Sequence, residues 1–222
     1  MANHYSITEL AENVDGEHVP SQSASFGGNF LPCNKLSELV TRDQVQLAFR
    51  RAKSLGSEDL QDLVDFVLDD AKRIFLILAK MSEENDQKIY LLRGLHDDGV
   101  CDASLPIDIF REKGEFPYGY SIEDSRHDTP RFTVFQKWKK TECDLFMTYQ
   151  WTLTAPVFDG SKFRFKFYGK RILPYLTVAA KPSSSGFFGE VSRVEIHSAH
   201  IPVWTPVRNL SFLLLLHLTQ PF

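Results

Sequence analysis

The most sustained pattern in the chain is a stripe of apolar residues at helical spacing. Leu60, Leu63, Val64, Val67, Leu68, Ala71, Ile74, Phe75 and Leu78 recur at i, i+3, i+4 and i+7, and Ser57 is placed to cap the start. Asp62, Asp65, Asp69 and Asp70 lie mostly off the stripe and read as solvent-facing charge. Ahead of it, Thr41 and Gln44 have the spacing of a capping box. Val45, Ala48, Phe49 and Ala52 follow on one helical face, and Gly56 stands where that helix would end. Behind the stripe a third helix is expected from Ser82 through Ile89, Leu92 and Leu95 to a break at Asp97-Asp98-Gly99. Three helices with short turns predict a small antiparallel bundle over residues 34–101. Its apolar faces suit contact, with the rest of the chain or with a protein partner, rather than chemistry.

The flanks read differently. Residues 1–33 show no sustained period and are expected to form a disordered tail with at most one helical turn. Residues 102–131, rich in Pro, Gly, Asp and Glu, read as a linker. From Phe132 to Ile201 the period shortens towards two. Phe146, Tyr149, Trp151 and Leu153 read as strand material, and Phe163, Phe165 and Phe167 alternate with Lys162, Arg164 and Lys166. The pattern as a whole predicts an α+β fold, an N-terminal helical bundle followed by a small antiparallel sheet.

Within that sheet one stretch carries candidate chemistry. Tyr175, Leu176 and Val178 precede, and Val191, Val194 and Ile196 follow, the run Ser183-Ser184-Ser185-Gly186-Phe187-Phe188-Gly189-Glu190-Val191, so a strand, a glycine turn and a strand are expected. Glycines at such a turn let backbone N–H groups approach an anion, because no Cβ stands in the way. Protein kinases write the turn G-x-G-x-x-G-x-V. Gly186, Gly189 and Val191 fall in that register, while Ser184 stands where the first glycine would be.

With Lys170-Arg171-Ile172-Leu173-Pro174-Tyr175 ahead of the turn and the run from Val191 through Ile196-His197 to Ala199-His200 behind it, the segment resembles the opening of the kinase domain in a group of fungal Ser/Thr protein-kinase-like proteins. Tyr149-Gln150-Trp151 and Ala155-Pro156-Val157-Phe158 resemble what leads into it, and the similarity spans roughly residues 40 to 200. The resemblance implies the first strands of a kinase N-lobe, ATP as the ligand, and Ser184, Ser185, Gly186, Phe187, Phe188, Gly189 and Val191 as the residues around it. For longer relatives it also implies Mg²⁺ and transfer of the γ-phosphoryl group to Ser or Thr.

The rest of the kinase apparatus is missing from this sequence. Between Gly189 and Phe222 there is no lysine to hold the phosphates and no aspartate to position the acceptor or bind metal. Arg126-His127-Asp128 resembles the catalytic-loop tripeptide, but in the wrong order and ahead of the turn, so it reads as a polar loop. No catalytic residue is assigned, and ATP affinity is expected to be weak or absent. The run Leu210 to Leu218 is nearly all apolar where the family would bring its Val-Ala-x-Lys strand. Residues 202–222 are therefore expected to be a divergent tail, as a truncated gene model would produce.

Composition changes this picture little. A net charge of −4 argues against general attraction to nucleic acid or anionic lipid, and strand alternation already explains the basic edge from Lys162 to Arg171. Cys33, Cys101 and Cys143 are few, odd in number and widely spaced, which suits a reducing compartment. A cytoplasmic protein without a secretory signal or transmembrane span is expected. His197 and His200 invite a metal, but no third ligand lies near in sequence, and a turn after the strand is the plainer reading. The alternative to a kinase-like fragment is a non-enzymatic interaction module that works through the helical stripe.

Overall fold

In the computed structural model the apolar stripe folds as two helices, α4 (Ser57–Asp70) and α5 (Lys72–Met81), broken at Ala71. Described are residues 7–23, 28–49, 57–81, 85–110, 117–122, 132–158, 170–179, 184–186, 189–201 and 212–216. They form an α+β fold with small antiparallel sheets. The chain divides into two units: Met1–Glu17 with Asn34–Thr154, which is mainly helical, and His18–Cys33 with Ala155–Phe222, which is built on a sheet.

The helical unit is arranged around α5. Ile74, Phe75, Leu76, Ile77, Leu78 and Ala79 are all buried, so this helix is apolar on every side and must be enclosed. Enclosing it are α1 (Ile7–Gly16), α2 (Lys35–Leu39), α4, α6 (Asn85–Asp97) and α7 (Lys140–Leu153). The break at Ala71 has a specific cause. The Phe75 amide donates to the Ala71 carbonyl at 2.9 Å, which makes Ala71 the capping position of α5, yet alanine has no side-chain acceptor for the next free amides. Asp102 supplies one from a distant part of the chain: its carboxylate accepts the Arg73 amide at 2.9 Å and the Ile74 amide at 3.0 Å. Burial pushes the Asp102 carboxyl up from its ordinary range, while the two amides, Arg73 and Lys72 pull it the other way. Because the net direction is up, protonation of Asp102 is more favourable in the fold than in the unfolded chain. The stability it adds by that route is present below the ordinary carboxylate range and is lost as the pH rises through the raised value.

Several sequence signals have direct counterparts. Thr41 Oγ1 accepts the Gln44 amide at 3.4 Å at the start of α3 (Arg42–Phe49), whose Val45, Ala48 and Phe49 are buried. Gly56 lies outside the described residues. Helix α6 ends where Asp97-Asp98-Gly99 predicts. Gly99 has φ +70°, its amide donates to His96 at 3.0 Å, and the Val100 amide reaches back to Leu95 at 2.9 Å, the glycine-terminated helix end that leaves both carbonyls satisfied.

Three expectations are corrected. The aromatic stretch ending at Leu153 is helix α7, not strand: Cys143, Phe146, Gln150 and Leu153 are buried at helical spacing, and Phe146 packs edge-on against Phe135 and Trp138 at 5.8 and 5.5 Å. Within the expected linker, Ile107–Phe110 (β3) and Tyr118–Ser121 (β4) pair antiparallel. Gln150 closes the other edge of β3, with Oε1 accepting the Ile107 amide and Nε2 donating to its carbonyl, both at 2.7 Å. A Cβ on Gly119 would lie 2.4 Å from the Phe135 ring, so the hairpin can lie against that ring only with glycine there. Within the expected tail, Leu10 and Val14 of α1 are buried one helical turn apart, and β1 (Val19–Ser21) pairs with β2 (Gly28–Phe30). Short apolar anchors, rather than a long period, order this region.

Asp102→Ala is expected to destabilise the helical unit by about 1–2 kcal/mol, the usual cost of a lost cap, with Asp102→Asn losing less because one acceptor oxygen is kept. Urea midpoints for the three proteins check the ranking; a wild-type midpoint in the alanine variant would count against the capping role. Gln150→Leu should cost more, since it strands a buried N–H and a buried C=O at roughly 1–3 kcal/mol each.

Candidate functional site

The glycine run lies in the sheet unit, on four strands: β5 (Tyr175–Val178), β6 (Ser184–Gly186), β7 (Gly189–Ile196) and β8 (Phe212–Leu216). The registers fix their order. Val191 pairs with Ser184 on one side and Leu215 on the other; Val194 likewise pairs with Val178 and Phe212. A residue has only two sheet neighbours, so β5 and β6 lie on one side of β7 and β8 on the other. β7 is therefore the central strand, the path of β5 and β6 precedes it, and β8 follows it.

At the end of β6 the register is Ser184↔Val191, Ser185↔Glu190 and Gly186↔Gly189. Gly186 and Gly189 thus face each other as the last pair before a two-residue connection, the tightest common hairpin. Ser184, Ser185 and Gly186 sit on β6, and Gly189 and Val191 on β7; Phe187 and Phe188 lie outside the described residues. The strand, turn and strand read from the sequence are therefore brought together, and the glycines stand at the reversal itself. Lys162 to Gly169 and Arg126-His127-Asp128 also lie outside the described residues. The expected tail holds β8, which pairs with β7 over five residues from Phe212 to Leu216.

The sheet is held from one face. Phe158, Leu173, Tyr175, Val194 and Ile196 form its buried cluster, with Val178 and Ile201 against it. Tyr175 is buried with no hydrogen-bond partner for its hydroxyl among the described residues, and burial pushes that hydroxyl's pKa up. On the opposite face Thr177 donates to Glu195 at 3.2 Å. The strands β1 and β2 belong to this unit: Gln22 donates to the Tyr175 carbonyl at 2.9 Å and Ser21 Oγ to the Leu173 carbonyl at 2.6 Å.

His197 and His200 end the central strand in a 3₁₀ turn over Ser198–His200. His197 Nδ1 accepts the Ala199 amide at 3.2 Å, and partial burial lowers its pKa from the ordinary histidine value. His200 is buried and holds two distant segments: the Cys33 amide donates to Nε2 at 3.3 Å and Nδ1 lies 2.9 Å from the Pro156 carbonyl. Phe30 meets both rings edge-on, at 5.8 and 5.3 Å. Among the described residues no three His, Cys, Asp or Glu side chains are grouped to hold a metal ion. Sequence reasoning missed the clasp at His200 because its partners lie far away in the chain, and the I-H-x-x-H spacing alone carries no sign of them. No described helix is long and apolar enough to cross a membrane.

The hairpin has glycine at both positions that flank the reversal, where no Cβ crowds the backbone. No family model matches the chain, and neither a curated protein nor a solved structure matches it.

Because the folded pKa of His197 is lowered, the folded state binds a proton less readily than the unfolded chain. Its contribution to stability is complete above about pH 6.5 and is lost as the pH falls through the folded value. Denaturant midpoints should therefore drop between neutral and mildly acidic pH, and His197→Asn should flatten that drop. Equal slopes for the two proteins would remove His197 as a cause.

Proposed function

We propose that the β6–β7 hairpin is a kinase-like phosphate loop in a chain that does not carry out phosphoryl transfer. The observation that carries this reading is the register. Gly186 and Gly189 face each other across a two-residue reversal, with Val191 two residues beyond on the central strand. In the kinase register Gly186 and Gly189 leave a phosphate group free to approach the turn without a Cβ in the way, Ser184 and Ser185 precede them, and Val191 stands at the position of the family's adenine-side valine. Further support comes from the third strand. A kinase carries its phosphate-holding lysine on the strand that follows the loop's second strand. Here β8 follows in that order and runs Phe-Leu-Leu-Leu-Leu. Without that cation, and without aspartate after Gly189, a bound nucleotide would gain neither charge neutralisation nor a metal site. The reading is of weak ATP binding, Mg²⁺ only in longer relatives, a cytoplasmic setting and no turnover.

A second reading is an interaction module in which the helical unit does the work. It is favoured by Tyr90, a large aromatic 61% exposed on α6, a helix whose other apolar side is fully buried.

Thermal melting with millimolar ATP, with and without Mg²⁺, separates the two. The phosphate-loop reading expects a small rise in melting temperature that Gly186→Asp abolishes by placing a carboxylate against the phosphates, with no γ-phosphoryl transfer to added protein. Superimposable melting curves with and without ATP would leave the interaction module as the better account.

A further inference from the structure

We propose that His200 is an acid-released clasp that joins three chain segments of the sheet unit. The ring is 1% exposed and both nitrogens are engaged, Nε2 as acceptor for the Cys33 amide at 3.3 Å and Nδ1 as donor to the Pro156 carbonyl at 2.9 Å. That pairing requires the neutral ring with its hydrogen on Nδ1. Two more bonds tie the same segments: the His200 carbonyl accepts the Phe158 amide at 2.9 Å, and the Cys33 thiol donates to the Ala199 carbonyl. The stretch after β2, the stretch from Pro156 to Phe158 and the 3₁₀ turn after β7 therefore meet at one uncharged imidazole.

A proton arriving at Nε2 would set its N–H against the N–H of Cys33. The bond would be lost, two donors would face each other, and a cation would be enclosed in a buried site. Three titratable groups stand nearest the ring among the described residues. On its own turn the neighbour is His197, 6.1 Å between centroids, whose charged form burial already disfavours. From the stretch after β2 it is the Cys33 thiol, and on β7 Glu195 is exposed and accepts from Thr177. The way to accommodate the proton is to open the clasp, which frees the Cys33 thiol and removes the edge-on contact that holds Phe30. Opening then takes up one proton, so its equilibrium constant rises about tenfold for each unit of pH below the pKa of the opened ring.

Amide hydrogen exchange on the full chain, corrected for its intrinsic pH dependence, reads this at the Cys33 and Phe158 amides. Between about pH 7.5 and about pH 5.5, the range in which a histidine titrates, protection of both should fall by about tenfold in all in the wild type, most of it below the ordinary histidine pKa of about 6.5. It should stay level in His200→Gln, which keeps an acceptor and a donor but does not titrate, and it should still fall in His197→Asn. Constant protection in the wild type, or the same fall in His200→Gln, would overturn the proposal. If His200→Gln does not fold, the imidazole resonances of wild-type His200 decide. A ring that protonates in step with the loss of Cys33 protection supports the clasp, and a ring that protonates while that amide stays protected overturns it.

Discussion

The helical unit depends on a hydrogen-bonding problem solved across the chain. A helix as apolar as α5 has to be buried, and a buried helix start exposes amides to no solvent that could satisfy them. Ala71 at the capping position cannot help, and the first turn adds Lys72 and Arg73, positive charges at the positive end of the helix dipole. Asp102 answers both difficulties with one carboxylate, taking the Arg73 and Ile74 amides and standing 3.8 Å from the Arg73 guanidinium. The opposite end is arranged with the dipole: Lys80, in the last turn, pairs with Asp15 and lies over the Tyr149 ring. Asp98 repeats the device nearby, its carboxylate accepting the Val134 amide at 2.8 Å and the Thr133 hydroxyl at 3.1 Å.

The sheet unit is organised by a different constraint, the need of a central strand to be paired on both sides. β7 meets it with β5 and β6 on one side and β8 on the other, so the glycine hairpin is an extension of the unit's best-supported strand rather than an isolated loop. Such a placement seats the hairpin on a strand whose Val194 and Ile196 are both in the buried cluster. It also explains how an apolar run such as Phe212–Leu216 can belong to the fold: its backbone groups pair with β7.

What was legible in the sequence was local. The end of α6 follows from a glycine whose φ only glycine adopts readily, the start of α3 from Thr41, and the glycine hairpin from the spacing of Gly186 and Gly189 between alternating strands. Misreadings came where a side chain's partner is remote or where two periods compete. In α7 the aromatics favour a strand by propensity, but Cys143, Phe146, Gln150 and Leu153 follow a helical spacing that their mixed character obscures. The single stripe from Leu60 to Leu78 conceals the break at Ala71, because an interruption made by a carboxylate thirty residues on leaves no mark in the periodicity. Neither Asp102 nor Asp98 can be told from the many surface acids until the fold places amides against it. At the candidate site the hairpin could be read in advance, whereas His200, which ties Cys33 to Pro156, could not.

Each unit is assembled from two stretches of chain, and the sheet unit takes residues 18–33 from within a sequence otherwise given to the helical one. During synthesis on the ribosome the helical unit has all its parts once Thr154 has emerged, while the β1–β2 ribbon has by then been waiting, without the Leu173 and Tyr175 carbonyls that it bonds. The order of translation therefore makes the N-terminal ribbon a partner for sequence not yet made. A fragment beginning at Ala155 would be born lacking the ribbon whose Ser21 and Gln22 bond the Leu173 and Tyr175 carbonyls.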